Sequence, residues 1–191
     1  MLILLGKSCS GKTTIQKELS KLGMSPIIQY TTRPKREGEI DGVTYNFVSD
    51  DDFIELENAN FFIETSYYEV ANGDIYRYGT AYRDLDDNKV LIANPSIMTK
   101  MVKLLCANIN PVTAYINTNE NIIWNRMMRR GDDIKEAQRR VVSDANDFYG
   151  IEENVDFMFS NNGEIKPVIL AEMIKYSYEC LRNSLIGGDS L

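Results

Sequence analysis

Gly6-Lys7-Ser8-Cys9-Ser10-Gly11-Lys12-Thr13 is the stretch on which the architecture of this chain turns. Its spacing is G-x-x-x-x-G-K-[ST]. Glycines let a backbone wrap closely around a phosphate so that successive N–H groups point at it, and a following helix adds the positive end of its dipole. The flanks suit that arrangement. Leu2-Ile3-Leu4-Leu5 is a short apolar run that reads as a buried strand. Residues 12–22 then place Ile15, Leu19 and Leu22 on one helical face, with Gly23 as the stop. The loop is expected to hold a nucleoside triphosphate through Gly6, Ser8, Cys9, Ser10, Gly11, Lys12, Thr13 and Thr14. Lys12 would face the β- and γ-phosphates, and the Thr13 hydroxyl would be a ligand of Mg2+ arriving with the nucleotide. Cys9 reads as a small filler in this loop rather than a redox switch.

Outward from the loop, apolar runs at 90–93 and 112–116 read as further strands, and a last short one covers 157–159. Helical spacing is expected at 95–106, 119–129, 134–148 and 165–183. Strands that alternate with helices imply parallel pairing through right-handed crossovers, and so a three-layer α/β fold of the P-loop NTPase kind. One domain over 1–186 is expected, with its core in 1–30 and 89–186, and a disordered tail at 187–191. Residues 31–80 break the rhythm: rich in Tyr, Phe, Asp, Glu and Gly, they read as a small inserted lobe of short strands and one helix. That helix should begin at Ser49, a side-chain cap followed by Asp50-Asp51-Asp52 in its first turn.

Composition narrows the chemistry. The chain of 191 residues contains no histidine, which removes Ser-His and Cys-His nucleophilic mechanisms and any His-ligated metal. Cys9, Cys106 and Cys180 are odd in number and widely spaced, which fits a reducing cytoplasm better than a disulfide framework or a zinc site. A net charge of -7 argues against non-specific binding to nucleic acid or anionic membranes, and no apolar run is long enough to span a bilayer.

A second cluster runs Thr31-Thr32-Arg33-Pro34-Lys35-Arg36-Glu37-Gly38-Glu39-Ile40-Asp41-Gly42-Val43-Thr44-Tyr45-Asn46-Phe47-Val48-Ser49. Arg33 and Arg36 are forked donors that can grip a phosphate dianion, and Tyr45 can add a hydroxyl. This segment strongly resembles the monophosphate-binding segment of guanylate kinases, and the resemblance extends over most of the chain. It implies a kinase that moves the γ-phosphoryl group of ATP to a nucleoside monophosphate, with GMP or dGMP favoured as the acceptor partner. It adds Glu39 to the acceptor set. It also implies base recognition by Glu64, in Phe62-Ile63-Glu64, and by Thr80, in Tyr78-Gly79-Thr80, with Tyr78 helping to hold the acceptor phosphate. A carboxylate accepts from guanine N1–H and the 2-amino group, a pattern that adenine lacks.

Arg126-Met127-Met128-Arg129-Arg130-Gly131 and the later Arg140 resemble the family's lid, about 126–140 here. The resemblance implies that Arg126, Arg130 and Arg140 neutralise charge on the transferring phosphoryl group, and that Asn161 lies near the adenine of ATP. The pattern departs at Asn94-Pro95-Ser96, where the family carries Asp-x-Asp, so Asn94 and Ser96 stand as the acceptor-side groups. Gln29 replaces a serine, an insertion around Asn72-Gly73-Asp74 suggests a hairpin tip, and the shorter stretch after Thr80 suggests a lost helix. A kinase with another nucleotide or a phosphorylated sugar as acceptor, and a non-catalytic binding module of the same fold, stay open at this point. So does the choice between monomer and homodimer.

Overall fold

The computed structural model describes residues 1–70, 73–105 and 111–187, and the chain divides into two compact units. Met1–Pro26 with Asp87–Leu191 form the first, and Ile27–Asp86 form the second.

The first unit is built on a five-stranded sheet, all parallel, in the order β2-β7-β1-β8-β9. The strands are β1 (Leu2–Leu5), β2 (Ser25–Pro26), β7 (Lys89–Ala93), β8 (Val112–Asn117) and β9 (Phe157–Ser160). All four residues of β1 are fully buried, as a central parallel strand covered on both faces requires. Alternation assigns the two faces. Leu2 and Leu4, with Val112, Ala114 and Ile116, pack against Ile15 and Leu19 of α1 (Lys12–Lys21) and Leu170, Ala171 and Ile174 of α6 (Pro167–Gly187). On the other face Tyr115 stacks on Phe148 at 5.7 Å, just past α5 (Ile134–Asp147), and α3 (Pro95–Leu105) packs against β7. Helices on both faces give the expected three layers. α4 (Glu120–Arg130) precedes α5 and turns into it at Gly131, a left-handed C-cap.

Two expectations shift here. The last helix starts at Pro167, a proline suited to the first helical turn, and runs through Gly187, which was expected in the tail. Residues 188–191 and Cys106 lie outside the described residues. The two-residue strand β2 was not foreseen, since so short a pairing leaves no periodic pattern.

The second unit has a four-stranded sheet in the order β4-β3-β6-β5, from β3 (Tyr30–Thr31), β4 (Asn46–Phe47), β5 (Phe62–Glu69) and β6 (Ile75–Ala81). α2 (Asp50–Asn58) begins as expected, with the Ser49 hydroxyl accepting from Asp52 N–H at 3.0 Å. β5 and β6 form a hairpin closed by Gly73 N–H to Val70 C=O at 2.8 Å. Asn72, at its expected tip, lies outside the described residues. After β6 only a 3₁₀ turn, Tyr82–Asp84, stands where a helix was expected to be lost.

The decisive detail is a register shift in β5 between Phe62 and Glu64. Phe62 pairs with Ala81, and Glu64 with Thr80. In a regular strand residues two apart share a face; this bulge sends Phe62 and Glu64 to opposite faces. Phe62 joins the aromatic core, stacked on Phe53 at 4.7 Å and edge-on to Tyr30 at 5.5 Å. Glu64 lies on the other face with Thr80, Ser66 and Tyr78. Gly79 belongs to the core face, and a Cβ there would come within 2.7 Å of the Phe62 ring. Only glycine lets the two strands close over that ring.

Candidate active site

In the first unit the phosphate loop joins β1 to α1, and its carbonyl groups are fastened by side chains from distant elements. The Ser10 carbonyl accepts from Thr118 Oγ1 at 3.1 Å, Arg126 Nη1 at 3.1 Å and Asn161 Nδ2 at 2.7 Å. Arg126 Nη1 also donates to Cys9 C=O at 3.1 Å, and its Nη2 to Asn161 C=O at 3.1 Å. Gly11 holds a left-handed conformation at φ 102°, and a Cβ on it would meet Asn161 Nδ2 at 2.4 Å. Lys12 curls back over its own loop, donating to Gly6 C=O at 2.6 Å and Lys7 C=O at 2.8 Å. Burial pulls its ammonium pKa down to about 8, against the opposing pull of the Asp144 carboxylate. Thr13 and Thr14 are exposed at the start of α1.

Cys9 is a non-glycine residue in the left-handed region, at φ 55°. Its side chain packs against a small cluster of Ile123, Met127 and Ala137, so the loop tip rests on the α4–α5 pair. Burial pushes its thiol pKa up, the behaviour of a packing group rather than a reactive one.

Two of the arginines expected in the lid are held by carboxylates. Arg130 Nε donates to Asp132 at 2.8 Å, and Arg140 Nε donates to Glu136 at 2.7 Å. Hydrogen bonds from Arg139, aided by Arg140, hold the Glu136 carboxyl at about 2, well below the usual range. The Arg126 guanidinium, expected to act with these two, donates to the phosphate loop's carbonyls. Asn161 reaches the loop as well, fastening its backbone.

In the second unit Arg33, Arg36, Glu39, Tyr45, Tyr78 and Thr80, all expected on the acceptor side, lie on and beside the Glu64 face. Arg33 is buried and donates through Nη2 to both Glu39 oxygens, at 2.7 and 3.0 Å. Its guanidinium lies 5.4 Å from the Tyr45 ring and 5.7 Å from the Phe47 ring. Glu39 also accepts from the Arg36 N–H at 2.7 Å. Burial works against the charge on Glu39, but the Arg33 and Arg36 hydrogen bonds outweigh it and keep the carboxyl below its ordinary value. Glu39 therefore positions the two arginines. Tyr45 and Tyr78 meet edge-to-face at 5.9 Å, and burial raises the Tyr45 phenol. Glu64 is 4% exposed and Thr80 fully buried, paired across β5 and β6.

Asn94 and Ser96 lie in the first unit. Asn94 Oδ1 accepts from Ile97 N–H at 2.8 Å, the bond of an N-cap, and Ser96 is exposed in the first turn of α3. Two residues of the first unit's site escaped the sequence reading. Thr118, at the end of β8, anchors Ser10, and Asp144 on α5 accepts from Ser8 N–H at 2.6 Å. A polar residue directly after an apolar strand was the only signal for Thr118; nothing local marked Asp144. Gln29, noted only as a departure, donates through Nε2 to Thr80 Oγ1 at 3.0 Å. Among the described residues, no group of three or more His, Cys, Asp or Glu could hold a metal ion, and no helix is long and apolar enough to cross a membrane.

A glycine loop ending in lysine, leading from the central strand of a parallel sheet into a helix, is the arrangement of the P-loop nucleotide-binding class. Comparison with known proteins narrows this. The guanylate kinase profile matches residues 1–167. Guanylate kinase of Helicobacter pylori is 30% identical over 183 residues, covering 90% of this chain and 84% of the relative. That of Helicobacter hepaticus is 29% identical over 188 residues, covering 92% and 91%. A crystal structure of guanylate kinase from Anaplasma phagocytophilum superposes with a TM-score of 0.67, at 22% identity over 94% of this chain and 84% of that one. The chain belongs to the guanylate kinase family.

Proposed function

We propose that this chain transfers the γ-phosphoryl group of ATP to GMP or dGMP, giving ADP and GDP or dGDP, in the cytoplasm. The observation that carries the acceptor choice is the Glu64 face of the small sheet. It presents a buried carboxylate beside a buried hydroxyl, in the same unit as the Arg33–Tyr45–Tyr78 cluster. The carboxylate accepts from N1–H and the 2-amino group of guanine, while the Arg33 and Arg36 side chains and the two phenols take the acceptor phosphate. A buried carboxylate facing adenine would lack those donors, at a cost of about 1–3 kcal/mol or more.

On the donor side, the loop amides and Lys12 bind the phosphates of ATP. Arg130 and Arg140 exchange Asp132 and Glu136 for the transferring phosphoryl group, and Arg126 with Asn161 keeps the loop in shape. The donor set suits magnesium that travels with its nucleotide. Thr13 offers one hydroxyl and no acidic cage is present among the described residues, so phosphate oxygens and water complete the shell. That ion would offset charge on the β- and γ-phosphates. No protein nucleophile is needed, which agrees with a chain lacking histidine.

The test is ADP production with Mg-ATP and, separately, GMP, dGMP, AMP, CMP, UMP and dTMP. Turnover confined to GMP or dGMP is expected. Turnover on a different acceptor would leave a kinase but end the guanine assignment, and ATP binding without turnover would point to a binding module.

A further inference from the structure

Thr80 is fully buried, and its hydroxyl accepts a hydrogen bond from Gln29 Nε2 at 3.0 Å. Among the described residues the hydroxyl has no other partner. Gln29 is itself buried, 7% exposed. Its main chain is held too, the Gln29 carbonyl accepting from Asn46 N–H at 2.9 Å. A hydroxyl has one proton and two lone pairs. Nε2 can only donate, so the Thr80 proton is not spent on Gln29 and stays available, beside the second lone pair, to an acceptor on a ligand. Thr80 is thereby kept able to donate.

Across the hairpin, the bulge sets the Glu64 carboxylate on the same face, directly opposite Thr80. Ionised, that carboxylate only accepts. The row Gln29, Thr80, Glu64 therefore reads as a fixed sequence of a positioning amide, a donor and an acceptor. Its complement is a ring carbonyl next to a ring N–H, as at positions 6 and 1 of a 6-oxopurine. A 6-aminopurine offers the reverse pattern at both positions.

We infer that Gln29 is a specificity-determining positioning residue: by donating to Thr80 it fixes the hydroxyl proton toward the 6-carbonyl of the acceptor base. This rests on the reading of Glu64 and Thr80 as base-facing groups. Gln29 touches no reacting atom and acts only through the direction of the Thr80 hydrogen bond.

The test compares kcat/KM for GMP and for 6-thioguanosine 5′-monophosphate, which keeps N1–H and the 2-amino group and weakens only the acceptor at position 6. The wild-type protein is expected to favour GMP about tenfold. In Gln29→Met and in Thr80→Val the ratio should fall to about one, with KM for ATP unchanged. A purely structural role for Gln29 would slow both substrates alike and leave the ratio where it was, and that result overturns the inference. Gln29→Leu provides a second variant should the methionine side chain not be accommodated. A wild-type ratio near one overturns it without any variant. GMP turnover with an unmoved ratio ends this inference alone; no GMP turnover ends the base-facing reading with it.

Discussion

The Asp144 carboxylate, on the last turns of α5, accepts a 2.6 Å hydrogen bond from the Ser8 N–H inside the phosphate loop. An anionic side chain thus occupies an amide of the kind that binds phosphate. ATP that takes this amide must displace the carboxylate. Asp144→Ala is expected to lower the dissociation constant for ATP about tenfold, measured by calorimetry without acceptor. Weaker binding in the variant would show that Asp144 supports the loop instead of competing with the nucleotide.

Lys12 leads to a pH dependence. Its ammonium is held down to about 8 chiefly by burial, so the charged form is disfavoured in the empty loop. Bound phosphates favour the charged form, and ATP binding above that pH must take up a proton. Affinity for ATP is expected to be level below about pH 7 and to weaken by up to about tenfold per unit above 8. Stability moves oppositely: the penalty for charged Lys12 is fully present below 8 and fades as pH rises toward the free value of 10.5. Calorimetry in buffers of different ionisation enthalpy reads the proton uptake directly; none at pH 8.5 to 9 (about the midpoint of the window) would refute the assignment.

Glu64→Gln separates recognition from folding. Replacing an acceptor-only carboxylate by an amide turns part of it into a donor, and kcat/KM for GMP should fall about 100-fold. The thermal midpoint of the ligand-free protein should stay level or rise, because a buried charge has been removed. A variant that loses stability along with activity would make Glu64 a framework residue.

Gly79→Ala examines the closure of the small sheet. The added Cβ lies 2.7 Å from the Phe62 ring, which is already packed between Phe53 and Tyr30. A loss of about 1–3 kcal/mol is expected from denaturant unfolding. Phe62→Leu in the same background should recover part of it. No recovery would place the strain elsewhere.

What could be seen in the sequence was whatever local rules control. The loop declared itself by glycine spacing, β1 by an unbroken apolar run, and α2 by Ser49 and the aspartates behind it. Arg33, Arg36 and Tyr45 were named from their donor chemistry and Glu64 and Thr80 from the family resemblance, and the structure gathers all five in one unit. Bonds between residues distant along the chain were hidden. Asp144 reaches Ser8 across 136 positions, and Thr118 reaches Ser10 across 108, through tertiary packing that no periodicity encodes. The Arg126 bonds to the loop carbonyls were hidden too, since a guanidinium near a loop can meet a phosphate or brace a carbonyl with equal ease. The bulge in β5 was also invisible, because Phe62-Ile63-Glu64 reads as ordinary alternation.

That single extra residue in β5 has a bearing on redesign. Without it, a side chain chosen to change the preferred nucleotide would share its surface with the aromatic residues that keep the hairpin folded. With it, the two duties are separately addressable. A combinatorial library over positions 64, 66, 78 and 80 can be searched for new acceptors while Tyr30, Phe53, Phe61 and Phe62 stay untouched. The fold leaves its choice of substrate free to drift at little risk to its own persistence.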